Sequence, residues 1–396
     1  MTLPHIAPIA SAGPHFTALP PLSLYVHLPW CVRKCPYCDF NSYEARGLLA
    51  DIEYVDAVLR DVRRELPDVQ GRRVQSVFIG GGTPSLFSGA AIERLLRGIA
   101  AGIALSPGAE ITLEANPGAV DAARFADFRA AGVNRLSIGI QSLRDDRLRA
   151  LGRVHDSREA RRAIEIARSA GFANINLDFM YALPGDDVAG ALADLEQAVG
   201  LAPAHLSWYQ LTLEPNTAFE RRPPRLPADE TVAEIEARGR ELLAAAGFVR
   251  YEISAYSQPG RQCRHNLNYW RFGDYLGVGA GAHGKLTLPA AAAIERRAKS
   301  RNPRTYLATA GTPAACSTQR LTESREIALE FLLNVLRLLE GVPERWFVER
   351  TGLPLETIAE PRAEAVERGW LADEAGRLRA TPAGRDVLNR VLELFA

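Results

Sequence analysis

Residues 30–40 read WCVRKCPYCDF and follow a short run rich in aromatic and β-branched residues. Cys31, Cys35 and Cys38 stand in this stretch at a C-x3-C-x2-C spacing. A closed zinc or iron–sulfur site takes four protein ligands, so this loop is one ligand short. Structural zinc sites usually pair two short C-x2-C clips, and zinc here would need a fourth ligand from a distant cysteine or histidine. The spacing favours a [4Fe-4S] cluster with one open iron, and structural zinc is the alternative.

Outward from this loop, β-branched or aromatic runs alternate with amphipathic helical stretches, a pattern that predicts repeated βα units around a parallel sheet. Six units are too few for a closed eight-stranded barrel, so we expect an open, partial (βα)6 barrel of the α/β class. Its chemistry should lie at the carboxyl ends of the strands. The predicted strands cover residues 23–28, 74–80, 110–115, 135–140, 174–180 and 205–213. The predicted helices cover residues 51–66, 89–100, 121–132, 157–171 and 188–199.

Changes of texture along the chain predict four regions. Residues 1–21 are rich in proline and are expected to form a flexible arm, and residues 22–215 form the barrel. A Pro- and Arg-rich linker opens an extension over residues 216–310, which is rich in tyrosine, glycine and histidine. Residues 311–396 are expected to form a smaller α+β C-terminal domain with a winged-helix-like tail.

Composition excludes several classes of protein. The chain has 396 residues with 47 basic and 47 acidic side chains, so no excess charge attracts nucleic acid, and none is expected as a partner. Five cysteines, three of them crowded together, indicate a reducing compartment, and we predict a cytoplasmic protein. No uncharged apolar run is long enough to cross a bilayer, which leaves peripheral membrane association open.

Polar side chains and glycines recur at the predicted strand ends. Residues 80–85 read GGGTPS after the second strand, and three glycines let the backbone approach a ligand closely. Glu114 ends the third strand, Gln141 follows the fourth, and Asp178 lies in the fifth. These acceptors can bind hydroxyl or ammonium groups, and Arg153 can bind a carboxylate with two hydrogen bonds. Each alone is more often a cap or a loop contact, but together they predict a binding site at the barrel mouth.

The three-cysteine loop after the first strand resembles the radical S-adenosylmethionine (SAM) superfamily. The motifs LYVHLPWC, CPYCDF, FIGGGTPS, EANPG, NRLSIGIQS, LGRVH and LDFMYALPG are similar, in order, to its coproporphyrinogen dehydrogenase-like branch. The resemblance implies that the open iron binds the amino and carboxylate groups of SAM. It implies contacts to this SAM from Tyr25, Gly81 and Glu114. It also implies a second SAM-like position surrounded by Tyr37, Gly82, Thr83, Gln141, Arg153 and Asp178.

Two features separate the enzymes of this branch from its haem chaperones. The dehydrogenases, which oxidatively decarboxylate coproporphyrinogen III, carry a further cysteine at the position of Phe40 and a longer N-terminal region. The HNxxYW signature of the HemW-type haem chaperones occurs as His265, Asn266, Tyr269 and Trp270. The resemblance therefore implies a chaperone that binds haem and hands it to respiratory haem proteins, its cluster helping transfer or formation of a homodimer. The alternative is an oxygen-independent coproporphyrinogen III dehydrogenase.

The HNxxYW stretch has a second interpretation. An imidazole can ligate haem iron, and Tyr and Trp can cover a porphyrin face, so the motif suits haem. The stretch can equally be a packed aromatic loop in which His265 is hydrogen-bonded between the barrel and the tail. Cys263 is a second candidate axial ligand. A zinc-stabilised binding protein is a third functional class.

Overall fold

A computed structural model describes residues 14–119 and 121–396. Its first half contains six parallel strands, each paired with the next along the chain. The strands are β1 Leu22–Leu28, β2 Val74–Gly81, β3 Leu105–Ala115, β4 Arg135–Gln141, β5 Ile175–Tyr181 and β6 His205–Gln210. Most of their residues are buried, as expected for a parallel sheet covered by helices. The predicted open (βα)6 barrel is confirmed.

Helices connect these strands and cover the outer face of the sheet. They are α1 Asp51–Val69, α2 Gly89–Gly102, α3 Ala122–Ala131, α4 Asp145–Ala150, α5 Ser157–Ser169 and α6 Val188–Gly200. The side chains of Asp121, Asp156 and Asp187 accept backbone N–H groups in the first turns of α3, α5 and α6. These aspartates therefore act as N-caps of the three helices.

Two predicted strand bounds differ from the structure by more than one residue. β3 begins at Leu105, five residues before the predicted start at residue 110. Its first residues include Pro107 and Gly108, and its register against β2 shifts there. This stretch therefore lacks the alternation of apolar and polar residues that indicates a strand. β6 ends at Gln210, although residues 211–213 continue the apolar pattern. Those residues leave the sheet and turn over the barrel mouth, where Leu211 and Thr212 line a cavity.

Residues 216–321 extend the sheet at both edges. They contain β7 Val249–Glu252, β8 Ala255–Ser257, β9 Asp274–Val278, β10 His283–Leu288, β11 Ala293–Lys299 and β12 Cys316–Leu321. They also contain α7 Ala218–Arg221, α8 Asp229–Ala245, α9 Arg264–Trp270 and α10 Pro303–Thr309. The strand order is β12-β11-β10-β9-β1-β2-β3-β4-β5-β6-β8-β7. One sheet therefore continues past both predicted boundaries, at residues 215 and 310.

The last residues form a mainly helical domain. Its helices are α11 Ser324–Val335, α12 Arg345–Thr351, α13 Ala359–Glu367, α14 Pro382–Asp386 and α15 Leu388–Glu393. A two-stranded antiparallel pair joins Val342–Pro343 to Arg377–Leu378. The helices pack around a second apolar core that includes Phe331 and Phe347. The predicted smaller C-terminal domain is confirmed.

Part of the predicted flexible arm packs against this domain. Residues 1–13 lie outside the described residues. The Phe16 ring is buried in the second core, and the His15 N–H donates to the Gly352 carbonyl at 2.8 Å. Residues 14–21 therefore form a packed connection rather than a free arm. Among the described residues, the structure contains no helix of sufficient length and apolarity to span a membrane.

Candidate functional site

A cavity of about 460 Å³ opens at the carboxyl ends of the barrel strands. Residues from the three-cysteine loop and from the ends of β2 to β6 line it, and we call it the cysteine cavity. It brings together nearly all of the residues predicted to bind the cluster and SAM. Those residues are Cys31, Cys35, Cys38, Tyr37, Gly81, Gly82, Thr83, Glu114, Gln141, Arg153 and Asp178.

Backbone hydrogen bonds hold the cysteine loop against the barrel mouth. The Thr83 N–H donates to the Trp30 carbonyl at 2.7 Å, and the Cys38 N–H donates to the Cys35 carbonyl at 3.1 Å. Burial raises the pKa of the Cys31 and Cys38 thiols, so neither ionises readily without a bound metal. The loop therefore presents three thiols to one cavity.

The donor set fits a three-thiolate cluster. Neither Cys263 nor Cys316 lines the cavity, and no histidine does, so the described residues offer it no fourth protein ligand of these types. Within residues 14–119 and 121–396, no three His, Cys, Asp or Glu side chains converge as around a single metal ion. A [4Fe-4S] cluster differs from a single ion because each thiolate binds a separate iron. Three thiols around a cavity suit such a cluster with one open iron.

Two glycines let the end of β2 lie directly against the cysteine loop. Gly81 has a positive φ of 117°, and a Cβ there would lie 2.7 Å from the His27 ring. A Cβ on Gly82 would lie 2.5 Å from the Trp30 carbonyl oxygen. A larger residue would displace the His27 ring at the first position and the loop at the second, so both glycines are required by close packing.

Two carboxyl groups share the floor of the cavity. Glu114 accepts the Gly81 N–H at 3.0 Å, and burial together with the charge of Asp178 raises the pKa of Glu114 to about 8. Burial also raises the pKa of Asp178, although hydrogen bonds from Ser137 and Asn176 oppose the change. A cationic group that enters the cavity would favour ionisation of both carboxyls. The floor is suited to an ammonium or sulfonium ligand or to hydroxyl donors.

The opposite wall carries a guanidinium and two phenols. Arg153 donates to the Gly139 carbonyl at 2.7 Å and lies 3.4 Å from both the Cys35 Sγ and the Tyr37 hydroxyl. Tyr209 donates to Gln141 Oε1 at 2.9 Å, and Gln141 has a positive φ of 69° at the end of β4. The Arg153 guanidinium on this wall can therefore bind the carboxylate of a ligand beside the cluster loop.

The sequence reasoning missed several lining residues. Ser207 and Tyr209 of β6 and Met180 of β5 line the cavity. They could have been found from the alternation of side chains along a strand, because Asp178 and Met180 share a face of β5.

The structure does not bring Tyr25 to the cavity. Its hydroxyl bonds His27 Nδ1 at 2.9 Å, and its ring centre lies 6.2 Å from that of Phe78. Tyr25 is the fourth residue of β1, whereas the cavity lies beyond the carboxyl end of that strand. The side chain thus lies inside the barrel, below the cluster loop.

The HNxxYW segment forms α9 and closes the opposite, amino-terminal end of the barrel. His265 is 1% exposed and stacks on Phe78 with ring centres 4.9 Å apart. Its Nδ1 lies 3.1 Å from the Ser76 hydroxyl, near the start of β2, and its Nε2 lies 2.9 Å from the Tyr269 hydroxyl. Burial lowers the pKa of His265 to about 3, so the ring is neutral. Both ring nitrogens are engaged, so His265 presents no open nitrogen to a haem iron in this arrangement.

The other predicted haem residues lie on or beside α9. Asn266 is half-buried, and the half-buried Trp270 ring lies under the Arg337 guanidinium at 4.4 Å. Among the described residues the Trp270 indole nitrogen finds no hydrogen-bond partner. Burial raises the pKa of the Cys263 thiol to about 12, and its Sγ lies 3.5 Å from Glu110 Oε1. Cys263 is therefore a buried neutral thiol in this arrangement.

A chain of buried hydrogen bonds joins the two ends of the barrel. Asn176 Nδ2 donates to Asp178 Oδ1 at 2.8 Å, and Asn176 Oδ1 lies 2.6 Å from His205 Nδ1. His205 Nε2 lies 2.8 Å from the Tyr251 hydroxyl, which accepts the Cys263 N–H at 3.4 Å. Since an amide oxygen only accepts, His205 carries its proton on Nδ1 and accepts from Tyr251 on Nε2. No pattern in the sequence predicts this series of hydrogen bonds, because most of its members lie far apart along the polypeptide.

Comparisons with known proteins agree with this architecture. A model of the radical SAM superfamily matches residues 25–197, and a model of the HemN C-terminal domain matches residues 323–387. The solved structure of coproporphyrinogen III oxidase (HemN) from Escherichia coli, a radical SAM enzyme, superposes with a TM-score of 0.79 at 21% identity. That match covers 95% of this chain and 90% of the other, and at this identity it shows the fold alone.

Curated relatives cover nearly the whole chain. Heme chaperone HemW of Escherichia coli (strain K12) is 49% identical over 95% of this chain and 98% of its own length. Heme chaperone HemW of Haemophilus influenzae is 45% identical over the same shares. The mitochondrial radical S-adenosyl methionine domain-containing protein 1 of Danio rerio is 34% identical over 93% of this chain and 86% of its own. The chain therefore belongs to the HemW family within the radical SAM superfamily.

Proposed function

We propose that this chain is a haem chaperone that binds haem and passes it to respiratory haem proteins. The observation that carries the proposal is its 49% identity to a protein named heme chaperone HemW over 95% of the chain. The HNxxYW segment, held as one short helix at the end of the barrel, supports it. Its thiol site needs a reducing compartment, so we place its action in the cytoplasm.

Membership of the radical SAM superfamily implies a [4Fe-4S] cluster and SAM. In our proposal Cys31, Cys35 and Cys38 hold the cluster, whose open iron supplies a chelation site for SAM and a source of one electron. The backbone of Gly81 and Gly82 bounds the cofactor on one side. Polar contacts to SAM come from the carboxyl, hydroxyl, amide and guanidinium groups on the floor and wall of the cavity, namely Tyr37, Thr83, Glu114, Gln141, Arg153 and Asp178.

Haem, in this proposal, is bound at α9 and not in the cysteine cavity. Ligation by His265 requires that one of its ring nitrogens leave its hydrogen bond, either Nδ1 to Ser76 or Nε2 to Tyr269. Release of Nε2 from Tyr269 frees a nitrogen for iron, while Trp270 offers an aromatic surface at the end of the helix. The segment therefore has to open for haem to be ligated by this residue.

The competing function is oxidative decarboxylation of coproporphyrinogen III. Because the fold is similar to that of HemN, this alternative has to be tested. Phe40 stands where the dehydrogenases carry a further cysteine, and it is 58% exposed at the rim of the cysteine cavity. A phenyl ring cannot ligate iron or transfer a hydrogen atom as a thiol can, which favours the chaperone.

One pair of assays separates the two functions. Anaerobically reconstituted protein is incubated with SAM, a reductant and coproporphyrinogen III, and the porphyrin mass is followed for loss of two carboxyl groups. In parallel, haem-loaded protein is mixed with the apo form of a respiratory haem protein, and the acceptor's haem spectrum is recorded. We expect an unchanged porphyrin mass and transfer of haem.

Loss of both carboxyl groups would overturn the chaperone proposal and show that Phe40 is compatible with decarboxylation. Absence of haem transfer from a loaded protein would also contradict it. A homodimer and a peripheral membrane contact remain predictions. Gel filtration with and without the cluster tests the first, and co-sedimentation with vesicles tests the second.

A further inference from the structure

A second cavity, of about 260 Å³, opens at the amino-terminal end of the barrel beside α9. Its walls come from the first half of β3, the end of α3, the loops that precede β4, β5 and α9, and the first residue of α9. They lie far along the strands from the cysteine loop. We call it the arginine cavity after its three basic residues. The polar side chains that matter here are Arg129, Arg261, Arg264, Asn174 and Glu110.

The charge of the arginine cavity is not balanced from within. None of its three arginines forms an ion pair with any described residue. Arg264 donates to the Gly108 carbonyl at 2.8 Å and Arg129 to the Val133 carbonyl at 3.2 Å. All three side chains are exposed, and these single bonds tether two of the guanidinium groups while most of their N–H donors stay available to solvent or a ligand.

Among the described residues, the one carboxyl that lines the cavity is already hydrogen-bonded. Glu110 is buried, and its Oε1 lies 3.5 Å from the Cys263 Sγ and accepts the His265 N–H at 3.2 Å. It therefore secures the start of α9. Three guanidinium groups around one engaged carboxylate repel one another and attract an anion.

A fourth cation lies directly behind the wall. Arg135 is 2% exposed, and its Nη1 donates to Asn174 Oδ1 at 2.9 Å. Its Nε finds no hydrogen-bond partner in the described part of the chain. A buried guanidinium with an unused donor adds to the positive potential that the cavity presents.

We infer that the arginine cavity binds the two carboxylates of a tetrapyrrole, an inference that rests on the proposed function. Guanidinium groups match carboxylates with paired hydrogen bonds, and haem carries two propionates along one edge. Cavities that enclose a drug-sized ligand span roughly 300–1,000 Å³, so one of 260 Å³ accepts the carboxylate edge and leaves the macrocycle outside. Arg264 is the first residue of α9, so a ligand held there lies against the start of the helix that carries His265.

The test compares haem with haem dimethyl ester, which keeps the macrocycle and iron but lacks both carboxylates. Affinities are measured by absorption titration for the wild-type protein and for the double variant Arg261→Ala/Arg264→Ala. We expect the wild type to bind haem at least about tenfold more tightly than the ester, since charge-assisted hydrogen bonds are lost in the ester. The double variant should bind haem about tenfold or more weakly and should no longer distinguish it from the ester.

A matched control is Arg304→Ala/Arg390→Ala, because both arginines are exposed, lie outside the cavity and form no ion pair with a described residue. The control should behave as the wild type. Equal affinity of the wild type for haem and ester, or an unaffected double variant, would overturn the inference while leaving haem binding in place. Failure of the wild type to bind either compound would contradict the proposed function itself. Thermal unfolding of each variant verifies that it is folded.

Discussion

The two ends of the barrel differ in how far the protein satisfies its own polar groups. At the cysteine end, three thiols and two enclosed carboxyls face an open cavity, and Gly81 and Gln141 hold left-handed backbone conformations there. At the end closed by α9, His265 is buried and both of its ring nitrogens are hydrogen-bonded. The first end is incomplete without a ligand, whereas His265 at the second end has both of its hydrogen bonds formed without one.

The difference indicates how each end would acquire its ligand. A preformed cavity with unmet donors and acceptors takes up a cofactor without rearrangement. His265 in α9 can bind iron only after one of its existing hydrogen bonds breaks. The free energy of breaking that bond lowers the affinity for haem unless other contacts offset it. The outer face of α9 and the arginine cavity, which stay accessible, are then the first contacts available to haem.

The largest effect is expected at the cysteine end. Replacement of Cys35 by Ala removes one of three thiolates, so anaerobic reconstitution should yield close to no iron and sulfide, against about four irons per wild-type chain. Cys316→Ala is the control, because Cys316 lies on β12 and does not line the cavity. Iron and sulfide analysis with the cluster's visible absorption measures the outcome. A full cluster in the Cys35→Ala protein would show that the loop is not the cluster site.

The next largest effect is expected at the α9 end. His265→Ala removes a buried ring and leaves the hydroxyls of Ser76 and Tyr269 without their partner. The cavity and the lost bonds together should lower the free energy of unfolding by about 3 kcal/mol. Urea denaturation measures the change. A loss below about 0.5 kcal/mol, typical of exposed sites, would mean that this end is not packed as described.

How much of this comparison the sequence could predict depends on the range of the contacts. The residues of the cysteine cavity lie at the ends of their strands, and parallel strands end at one edge of a sheet. The sequence could therefore predict that Glu114 and Asp178 lie close together. Tyr25 could not be placed, because its depth along β1 depends on where the strand ends relative to the cavity.

The α9 end was beyond sequence reasoning for another reason. His265 is hydrogen-bonded to Ser76, which is 189 residues away in the sequence, and Cys263 to Glu110, which is 153 residues away. No periodicity records such contacts. The sequence therefore indicated the motif but left open whether its histidine was free or packed, and only the tertiary structure distinguishes the two.

A third prediction uses the titration of Glu114. Its pKa is raised from 4.5 to about 8 in the folded chain, so the folded state binds more protons than the unfolded state between these values. Without cofactor, wild-type stability should therefore fall as pH rises from about 4.5 to 8, relative to Glu114→Gln. Because Glu114 faces a cavity that water enters, we expect a difference of only about 2 kcal/mol at pH 8. Urea denaturation at several pH values measures it, and parallel curves would contradict the raised pKa.

The smallest effect is expected along the hydrogen-bond chain between the ends. Tyr251→Phe keeps the ring but leaves His205 Nε2 and the Cys263 N–H without their partner, which should lower the free energy of unfolding by about 1 kcal/mol. Tyr256→Phe is the matched control, since Tyr256 is 2% exposed on neighbouring β8 and takes no part in this series of hydrogen bonds.

The Tyr251→Phe variant also tests whether ligand binding at the cysteine end of the barrel affects α9 at the other end. Asp178 is at once a floor residue of the cysteine cavity and the acceptor at one end of the chain, so a cation bound beside it favours its ionised form, and the carboxylate then strengthens the hydrogen bond from Asn176 and, through His205, the one from Tyr251. We expect SAM, added to the reconstituted wild type, to slow amide hydrogen exchange in α9, and Tyr251→Phe to lose this response while still binding SAM. An equal response in both proteins would mean that the hydrogen bonds carry no coupling between the two sites.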